Sequence, residues 1–231
     1  MTAGRKPDPM DHPPRLVMVR HGETVGNSSI RYYGRTDVAL SDLGRGQMQA
    51  AREWLAVHDG GCGFFPVFTS PLVRAAEGAR IIAGEHAASV VIEEFVEVDF
   101  GLFEGLTAEE IAERYPAEFQ RWNSNRLAAD FVYPGGESRV AFAARVARGT
   151  ARMLALWHGA QDDSRSGASA LLVAHRGVLR AVVSQMAGVL EPRIDLGSIH
   201  ILEQEPGAAD LRAARWRPLA LDLTAHLSAY H

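Results

Sequence analysis

The chain has 231 residues, a formal net charge of −4 at pH 7 and a hydrophobic content of 47%. The charge balance excludes a broad basic face for nucleic acid or anionic lipid, so any positively charged site must be local. No run of about 18 apolar residues is present, and a membrane-spanning helix is therefore not expected. The single cysteine, Cys62, excludes an intrachain disulfide and the usual thiolate zinc sites, and it fits a reducing compartment.

Residues 1–14 contain four prolines and lack the apolar core of a signal peptide. We therefore expect a flexible N-terminal tail and a cytoplasmic protein. The remaining residues, 15–231, are expected to form one domain, because their number suits a single large α/β core.

Short apolar runs alternate with amphipathic segments along the domain. We predict strands at 16–20, 66–69, 90–92 and 170–174, and helices at 41–58, 72–86, from Thr107, at 138–157 and at 177–187. Two further strands, near 198–203 and 211–216, flank a Pro-Gly turn and are expected to form a hairpin. This order predicts an α/β fold with a mostly parallel sheet and helices on both faces.

The long helix from Ser138 carries an apolar stripe at helical spacing. We expect this stripe to face the core, and its members are Val140, Ala144, Ala147, Ala151 and Leu154.

The nine histidines divide into two groups. His21 and His175 each come directly after a buried-strand run, where ligands bind in open parallel sheets. The other seven lie at chain ends, at predicted helix ends, or where a structural role is the better account: His12, His58, His86, His158, His200, His226 and His231.

Two arginines follow the same rule as the two histidines. Arg20 ends the first predicted strand, and Arg74 follows the second. A single polar residue at the end of a strand could simply face solvent at the edge of the sheet. This explanation is poorer when four such residues occur. Two guanidinium groups repel one another unless an anion joins them, and a phosphoryl group matches their geometry.

The sequence contains neither a Gly-rich P-loop nor a His-Glu-x-x-His metal motif, so side chains must supply the positive charge. A neutral imidazole can then act as the nucleophile in phosphoryl transfer. The leaving oxygen needs a proton, and the stretch Phe95–Gly101 offers Glu97 and Asp99 on one face if it is extended. Either carboxyl could serve, and a half-exposed acidic strand explains the stretch equally well.

These residues fall in segments that resemble the histidine phosphatase superfamily, in its phosphoglycerate mutase-like branch. The resemblance covers about residues 15 to 227, and it depends on the order of several motifs, because an Arg-His-Gly triplet alone is common. The motifs are Arg20-His21-Gly22-Glu23-Thr24 with Asn27, Gly34-Arg35-Thr36-Asp37, Thr69-Ser70-Pro71-Leu72-Val73-Arg74-Ala75, Glu97-Val98-Asp99-Phe100-Gly101 with Glu104-Gly105, Gly135-Gly136-Glu137-Ser138, and Val173-Ala174-His175-Arg176-Gly177.

The resemblance implies a three-layer α/β/α sandwich and a catalytic cycle without metal or cofactor. His21 would be phosphorylated, and Glu97, rather than Asp99, matches the proton donor of the family. Four side chains would hold the phosphoryl group: Arg20, Asn27, Arg74 and His175. In the second step, ionised Glu97 would take a proton from the attacking water.

The superfamily includes mutases as well as phosphatases. The spacing Glu97-x-x-x-Gly101-x-x-Glu104-Gly105 resembles that of phosphatases, including α-ribazole phosphatases, so hydrolysis of a small phosphorylated substrate is favoured. Phosphoglycerate mutase-type transfer and a non-catalytic phosphate-binding module are the alternatives. The binding module is disfavoured because it would not need a proton donor.

Substrate specificity is expected in segment 106–137, which would lie over the pocket as a helical lid. The candidate substrate-binding residues are Arg35, Arg114, Tyr115 and Arg176. Arg176 stands where many relatives have glycine, and it either adds a cation at the pocket mouth or points to solvent, which is favoured. The oligomeric state is open, a homodimer included.

Overall fold

The computed structural model describes residues 13–58, 63–126, 128–161, 169–207 and 210–230. The strands within these ranges are β1 (Arg15–Arg20), β2 (Val67–Thr69), β3 (Ser89–Val91), β4 (Ala170–Ala174), β5 (Ile199–Gln204) and β6 (Trp216–Leu223). The α-helices are α1 (Asp42–His58), α2 (Val73–Ala83), α3 (Ala108–Arg114), α4 (Pro116–Asn125), α5 (Arg139–Ala160) and α6 (Arg176–Ala187). Short 3-10 helices lie at Glu93–Phe95, Gly101–Phe103 and Ala225–Tyr230.

In the described ranges the strands form one mixed sheet of six, in the order β3-β2-β4-β1-β5-β6. The first four pair in parallel, and β5 and β6 extend the sheet antiparallel. All five residues of β4 and the four central residues of β1 are buried, because helices cover both faces at this point.

The two faces of the sheet carry separate cores. Successive side chains of a strand point to opposite faces. In β1, Leu16 and Met18 pack with α5 and α6, whereas Val17 and Val19 pack with α1 and α2. The predicted α/β fold with helices on both faces is confirmed. None of the helices in the described part of the chain has the length and apolar character needed to cross a membrane.

Segment 106–137 packs on a third apolar cluster beyond the sheet. Its helix α3 starts with a capping box between Thr107 and Glu110, as the spacing predicts. The cluster is mostly aromatic and consists of Phe103, Ile111, Trp122 and Phe131, with Tyr32, Phe100, Leu106, Tyr115, Phe119 and Tyr133 packed against it.

Helix α5 begins where predicted, with the Ser138 hydroxyl accepting the N–H of Ala141. Of the predicted core-facing stripe, Leu154 is buried as expected, but the other four residues are exposed. Val140 is 59% exposed. The buried residues are Val146, Gly149, Thr150, Met153, Leu154 and Trp157. The large side chains Met153 and Trp157 set the face, because they bury far more apolar area than the alanines of the predicted stripe.

The C-terminal hairpin is present, but its second strand begins at Trp216 rather than near 211. Asp210 explains the difference. Its carboxylate accepts the N–H of Arg212 and its carbonyl accepts the N–H of Ala213, so a tight turn occupies these residues. Most of the predicted N-terminal tail lies outside the described residues, as does Cys62.

Candidate active site

The two singled-out histidines lie side by side because of the register between β1 and β4. Arg20 pairs with Ala174, so the next residue of each strand, His21 and His175, reaches the same edge of the sheet. The His21 N–H donates to the Ala174 carbonyl at 3.1 Å. The ring centroids are 5.1 Å apart, and both side chains are buried.

Arg74 lies in the first turn of α2 and is fully buried. Its Nε donates to His21 Nε2 at 3.2 Å. Its two terminal nitrogens donate to the carbonyls of Tyr33, Gly34 and Thr36 at 2.7 to 3.2 Å. Neutral carbonyls, not a carboxylate, thus hold this guanidinium, and no contact ion pair within the described residues neutralises its charge.

Arg20 supplies a second cation, half-buried, at the end of β1. One terminal nitrogen donates to the Ile194 carbonyl at 3.0 Å, whereas Nε is buried and has no hydrogen-bond partner among the residues that the structure describes. Burial, and then the nearby Arg176 charge, lower the pKa of Arg20 to about 10, so it is still protonated at neutral pH. Its Nε–H is a donor without an acceptor.

The hydrogen bonds of His21 define its tautomer. Nδ1 lies 2.7 Å from the Gly22 carbonyl, which can only accept, so Nδ1 carries the proton. Nε2 accepts from Arg74 and therefore holds the lone pair. Burial, followed by the charges of Arg74 and Arg20, holds the pKa of His21 well below its ordinary value. His21 is thus a neutral imidazole with the lone pair on Nε2, the form that acts as a nucleophile.

His175 carries its ring proton on the same nitrogen as His21, but a different partner fixes it. Its Nε2 lies 2.7 Å from the Ser70 hydroxyl, which also accepts the N–H of Leu72. The hydroxyl proton has no other acceptor in the described chain, so it is donated to Nε2. Burial, and then the Arg74 charge, holds the pKa of His175 well below its usual value, so the ring is neutral and its proton is on Nδ1. Nδ1 is buried, and no hydrogen-bond partner for it lies in the described ranges.

Glu97 and Asp99 do not share a face, so the predicted alternation is wrong. The segment is a loop between two 3-10 helices, and Glu97 and Val98 are both buried. The Glu97 carboxylate accepts the N–H groups of Val98 and Gly177 at 2.9 and 2.7 Å, which places it beside His175. Asp99 instead accepts the N–H of Gly101 within its own turn.

Two residues that the sequence did not single out hold Glu97 in place. Gly177 leaves room for the carboxylate, since a Cβ there would lie 2.4 Å from Glu97 Oε1. One terminal nitrogen of Arg145 donates to the carbonyls of Glu94 and Val96, each at 2.7 Å. No periodic pattern marked Arg145, and the Gly177 contact depends on a residue 80 positions away.

The described residues show no hydrogen bond or ion pair between the remaining predicted residues and the imidazoles, and the roles of these residues stay predictions. Asn27 is exposed, with a positive φ of 65° that asparagine tolerates, and its side chain forms no hydrogen bond in the described chain. Arg35 lies near Asp99 at 3.7 Å. Arg114 is exposed at the end of α3, and Arg176 is exposed at the start of α6. Tyr115 packs against the mostly aromatic third cluster described above.

The described residues contain no group of three or more His, Cys, Asp or Glu side chains arranged for a metal ion. The site instead combines one buried and one half-buried guanidinium group, two neutral imidazoles and one carboxyl group. Such a combination favours an anion that accepts several hydrogen bonds, and a phosphoryl group meets this requirement.

The model of the histidine phosphatase superfamily (branch 1) matches residues 16–217 of the chain. The chain belongs to this superfamily. The resemblance of the motifs to this superfamily is therefore confirmed.

Several relatives of this histidine phosphatase are named for their activities. A bifunctional protein of Mycobacterium tuberculosis is 36% identical over 207 residues, which cover 87% of this chain and 53% of that protein. The chain thus spans about half the length of that relative. Phosphoserine phosphatase 1 of Hydrogenobacter thermophilus is 30% identical over 181 residues, covering 76% of this chain and 77% of that protein.

Solved structures show the same fold. The mycobacterial glucosyl-3-phosphoglycerate phosphatase superposes with a TM-score of 0.74 at 29% identity, covering 92% of this chain and 100% of that one. The architecture of this histidine phosphatase is thus that of its superfamily.

Proposed function

We propose that the chain is a metal-independent phosphomonoesterase that hydrolyses a small phosphorylated metabolite through a phosphohistidine on His21. The observation that carries the proposal is a pair of buried donors that have no acceptor among the described residues, Arg20 Nε and His175 Nδ1. They belong to the same site as the His21 Nε2 lone pair, which the Arg74 Nε–H engages. A buried donor without a partner costs about 1 to 3 kcal/mol. A bound phosphoryl group would satisfy both donors at once.

In the first step, His21 Nε2 attacks phosphorus, and the bond from phosphorus to the ester oxygen breaks. The Arg74 Nε–H, which donates to Nε2 in the free site, turns to a phosphoryl oxygen as the N–P bond forms. Glu97, protonated, gives its proton to the leaving oxygen. The two main-chain N–H bonds of Glu97 occupy part of its lone-pair capacity and fix the orientation of the carboxyl group.

In the second step, water attacks the phosphohistidine while ionised Glu97 takes one of its protons. The P–N bond breaks, its electron pair returns to Nε2, and inorganic phosphate leaves. The Gly22 carbonyl accepts from Nδ1 throughout and stabilises the positive charge that the ring carries as phosphohistidine. Arg20 and Arg74 would supply the charge stabilisation that phosphoryl transfer requires.

The substrate class that we propose is a phosphomonoester that also carries a carboxylate. Phosphoserine and glucosyl-3-phosphoglycerate, which appear in the names of two relatives, both have this chemistry. Arg176 is exposed directly after His175, forms no ion pair within the described residues, and affects the Arg20 pKa more than any other charge. We therefore place the carboxylate near Arg176. A cytoplasmic location stays a prediction.

The test uses an aryl phosphate and a chelator. We expect hydrolysis to persist in the chelator and to disappear in His21→Ala. Rapid quenching with ³²P-labelled substrate should trap an acid-labile, alkali-stable label on the wild type and none on the variant. Lack of turnover across a panel of phosphomonoesters would contradict the proposal. Transfer between the hydroxyls of phosphoglycerate without release of phosphate would show a mutase instead.

The substrate class is tested separately, by comparing kcat/KM for phosphoserine and for ethanolamine phosphate, which differ in one carboxylate. We expect Arg176→Gly to lower kcat/KM for phosphoserine and to leave that for ethanolamine phosphate unchanged. Equal effects on both substrates would contradict a carboxylate contact.

A further inference from the structure

The carboxylate of Glu104 collects an unusual number of donors for a half-buried loop residue. Its two oxygens accept the N–H groups of Gly34, Arg35 and Thr36 at 3.0 to 3.2 Å and the Thr36 hydroxyl at 2.5 Å. They also accept the N–H of Phe100 at 3.0 Å. Glu104 therefore joins loop 33–36 to the loop that carries Glu97.

Loop 33–36 is also the segment whose carbonyls hold Arg74. The N–H groups of residues 34–36 point to Glu104, and the carbonyls of residues 33, 34 and 36 point to Arg74. The loop thus lies between a carboxylate and a guanidinium and contacts both through its backbone. Gly34 permits this approach, since a Cβ there would lie 1.9 Å from the Val98 carbonyl and 2.4 Å from Glu104 Oε1.

This arrangement orients Arg74 without neutralising it. A carboxylate in direct contact would fix the guanidinium but would also cancel the charge that the phosphoryl group needs. Here the backbone of loop 33–36 separates the Glu104 carboxylate from the Arg74 guanidinium, and the dipoles of its peptide groups point from Arg74 to Glu104. The Arg74 Nε–H is consequently the donor left to face His21.

We propose that Glu104 is a positioning residue for the reaction, acting through loop 33–36 to hold Arg74 Nε against the transferred phosphoryl group. The proposal depends on the proposed function for its kinetic readout. Its binding readout uses orthovanadate and needs no turnover, so the positioning role of Glu104 and the proposed function can fail separately.

The test compares Glu104→Gln with Glu77→Gln. Glu77 lies on the same helix as Arg74, and it pairs with Arg45 at 2.7 Å outside the site. The amide of Glu104→Gln keeps one acceptor oxygen and turns an NH₂ group towards main-chain donors, so the loop should shift. We expect orthovanadate affinity and kcat/KM to fall about tenfold to a hundredfold, because small displacements of reacting groups have effects of this size. Glu77→Gln should match the wild type.

A double-mutant cycle with Arg74→Lys shows whether Glu104 acts through Arg74. We expect Glu104→Gln to cause little further loss once Arg74 is lysine, and a loss that is undiminished in that background would overturn the proposal. A folded Glu104→Gln protein with wild-type kcat/KM and vanadate affinity would also overturn it.

If Glu104→Gln does not fold, Thr36→Val provides the second variant. It removes only the hydroxyl donor to Glu104, so a smaller loss in the same direction is expected. Wild-type vanadate affinity in folded Thr36→Val would then contradict the proposal. If the wild type shows no turnover while the variants still lose vanadate affinity, the proposed function is rejected and the positioning role of Glu104 is not.

Discussion

The Nε of Arg74 and the Nε2 of His21 lie 3.2 Å apart, and both side chains are buried. The guanidinium therefore acts in two ways on the imidazole that we propose as the nucleophile. Its charge opposes protonation of the imidazole, and its N–H engages the same lone pair that would attack phosphorus. Binding of substrate has to exchange this hydrogen bond for one to a phosphoryl oxygen.

Arg74→Lys should therefore impair both binding and chemistry. A lysine can neither reach the three carbonyls in the same fork geometry nor present the Nε–H to the site. We expect a loss of about a hundredfold or more in kcat/KM, shared between kcat and KM, since removal of one such donor commonly costs this much. Steady-state kinetics on an aryl phosphate measure both parameters, with a thermal melt to verify folding. Unchanged kinetics would contradict a role of Arg74 in binding the phosphoryl group.

Ser70→Ala should affect activity through the tautomer of His175. Without the hydroxyl, the ring proton is no longer confined to Nδ1, and we expect a loss of about tenfold in kcat/KM. Ser198→Ala is the control, because Ser198 is also a buried serine against a histidine ring. Its hydroxyl, however, accepts from His200 Nε2 at 2.9 Å and donates to the Asp195 carbonyl, so its loss does not change the tautomer of a site histidine. Both variants should lose about 1 kcal/mol of stability. Equal activities of the two variants would contradict the tautomer assignment.

Gly177→Ala should lower activity without destabilising the fold. The added methyl would push the Glu97 carboxylate away, and that residue is the proposed proton donor. Gly159→Ala is the control, since a Cβ at this position in α5 meets no atom within 4 Å. It should gain about 0.5 to 1 kcal/mol from helix propensity and keep full activity. The loss in Gly177→Ala should be larger for alkyl than for aryl phosphates, whose leaving groups need less protonation; equal losses would speak against Glu97 as the donor.

Stability should fall between pH 6.5 and about 4 because of His200. This buried ring accepts the N–H of Asp222 at Nδ1, and burial lowers its pKa from 6.5 to about 4. The unfolded chain binds a proton first as the pH falls, so the native state loses up to about 3 kcal/mol from this group. Urea unfolding at several pH values should show a smaller loss in His200→Gln. If stability falls equally with pH in the wild type and in His200→Gln, His200 is not the cause. The lowered pKa values of His21 and His175 affect both proteins and so cancel in this comparison.

The sequence was sufficient for the features that depend on apolar periodicity. Runs such as 170–174 predicted the central strands, and the residues that follow β1 and β4 were correctly expected at one edge of the sheet. Only the family motif favoured Glu97 over Asp99 as the proton donor. The predicted alternation of side chains could not distinguish the two carboxyl groups, because it assumed an extended backbone. The structure has a loop there.

Other features could not be read from local patterns. Ser70 and His175 are 105 positions apart, and Glu104 and Gly34 are 70 apart, so their contacts arise only from tertiary packing. A hydroxyl or carboxylate in a loop has no period that predicts its partner. The buried face of α5 was missed for a related reason, since alanine carries little preference for either side.

The register Arg20↔Ala174 has a consequence for how such an enzyme can change. Adjacent strands keep a spacing of about 4.8 Å, and insertion of one residue turns every later side chain to the opposite face. The separation of the two imidazoles is therefore inherited from the backbone repeat of the sheet. If the proposed function holds, changes in segment 106–137 would alter which substrates are accepted. A single insertion in either strand would instead separate the two imidazoles and abolish hydrolysis of every substrate.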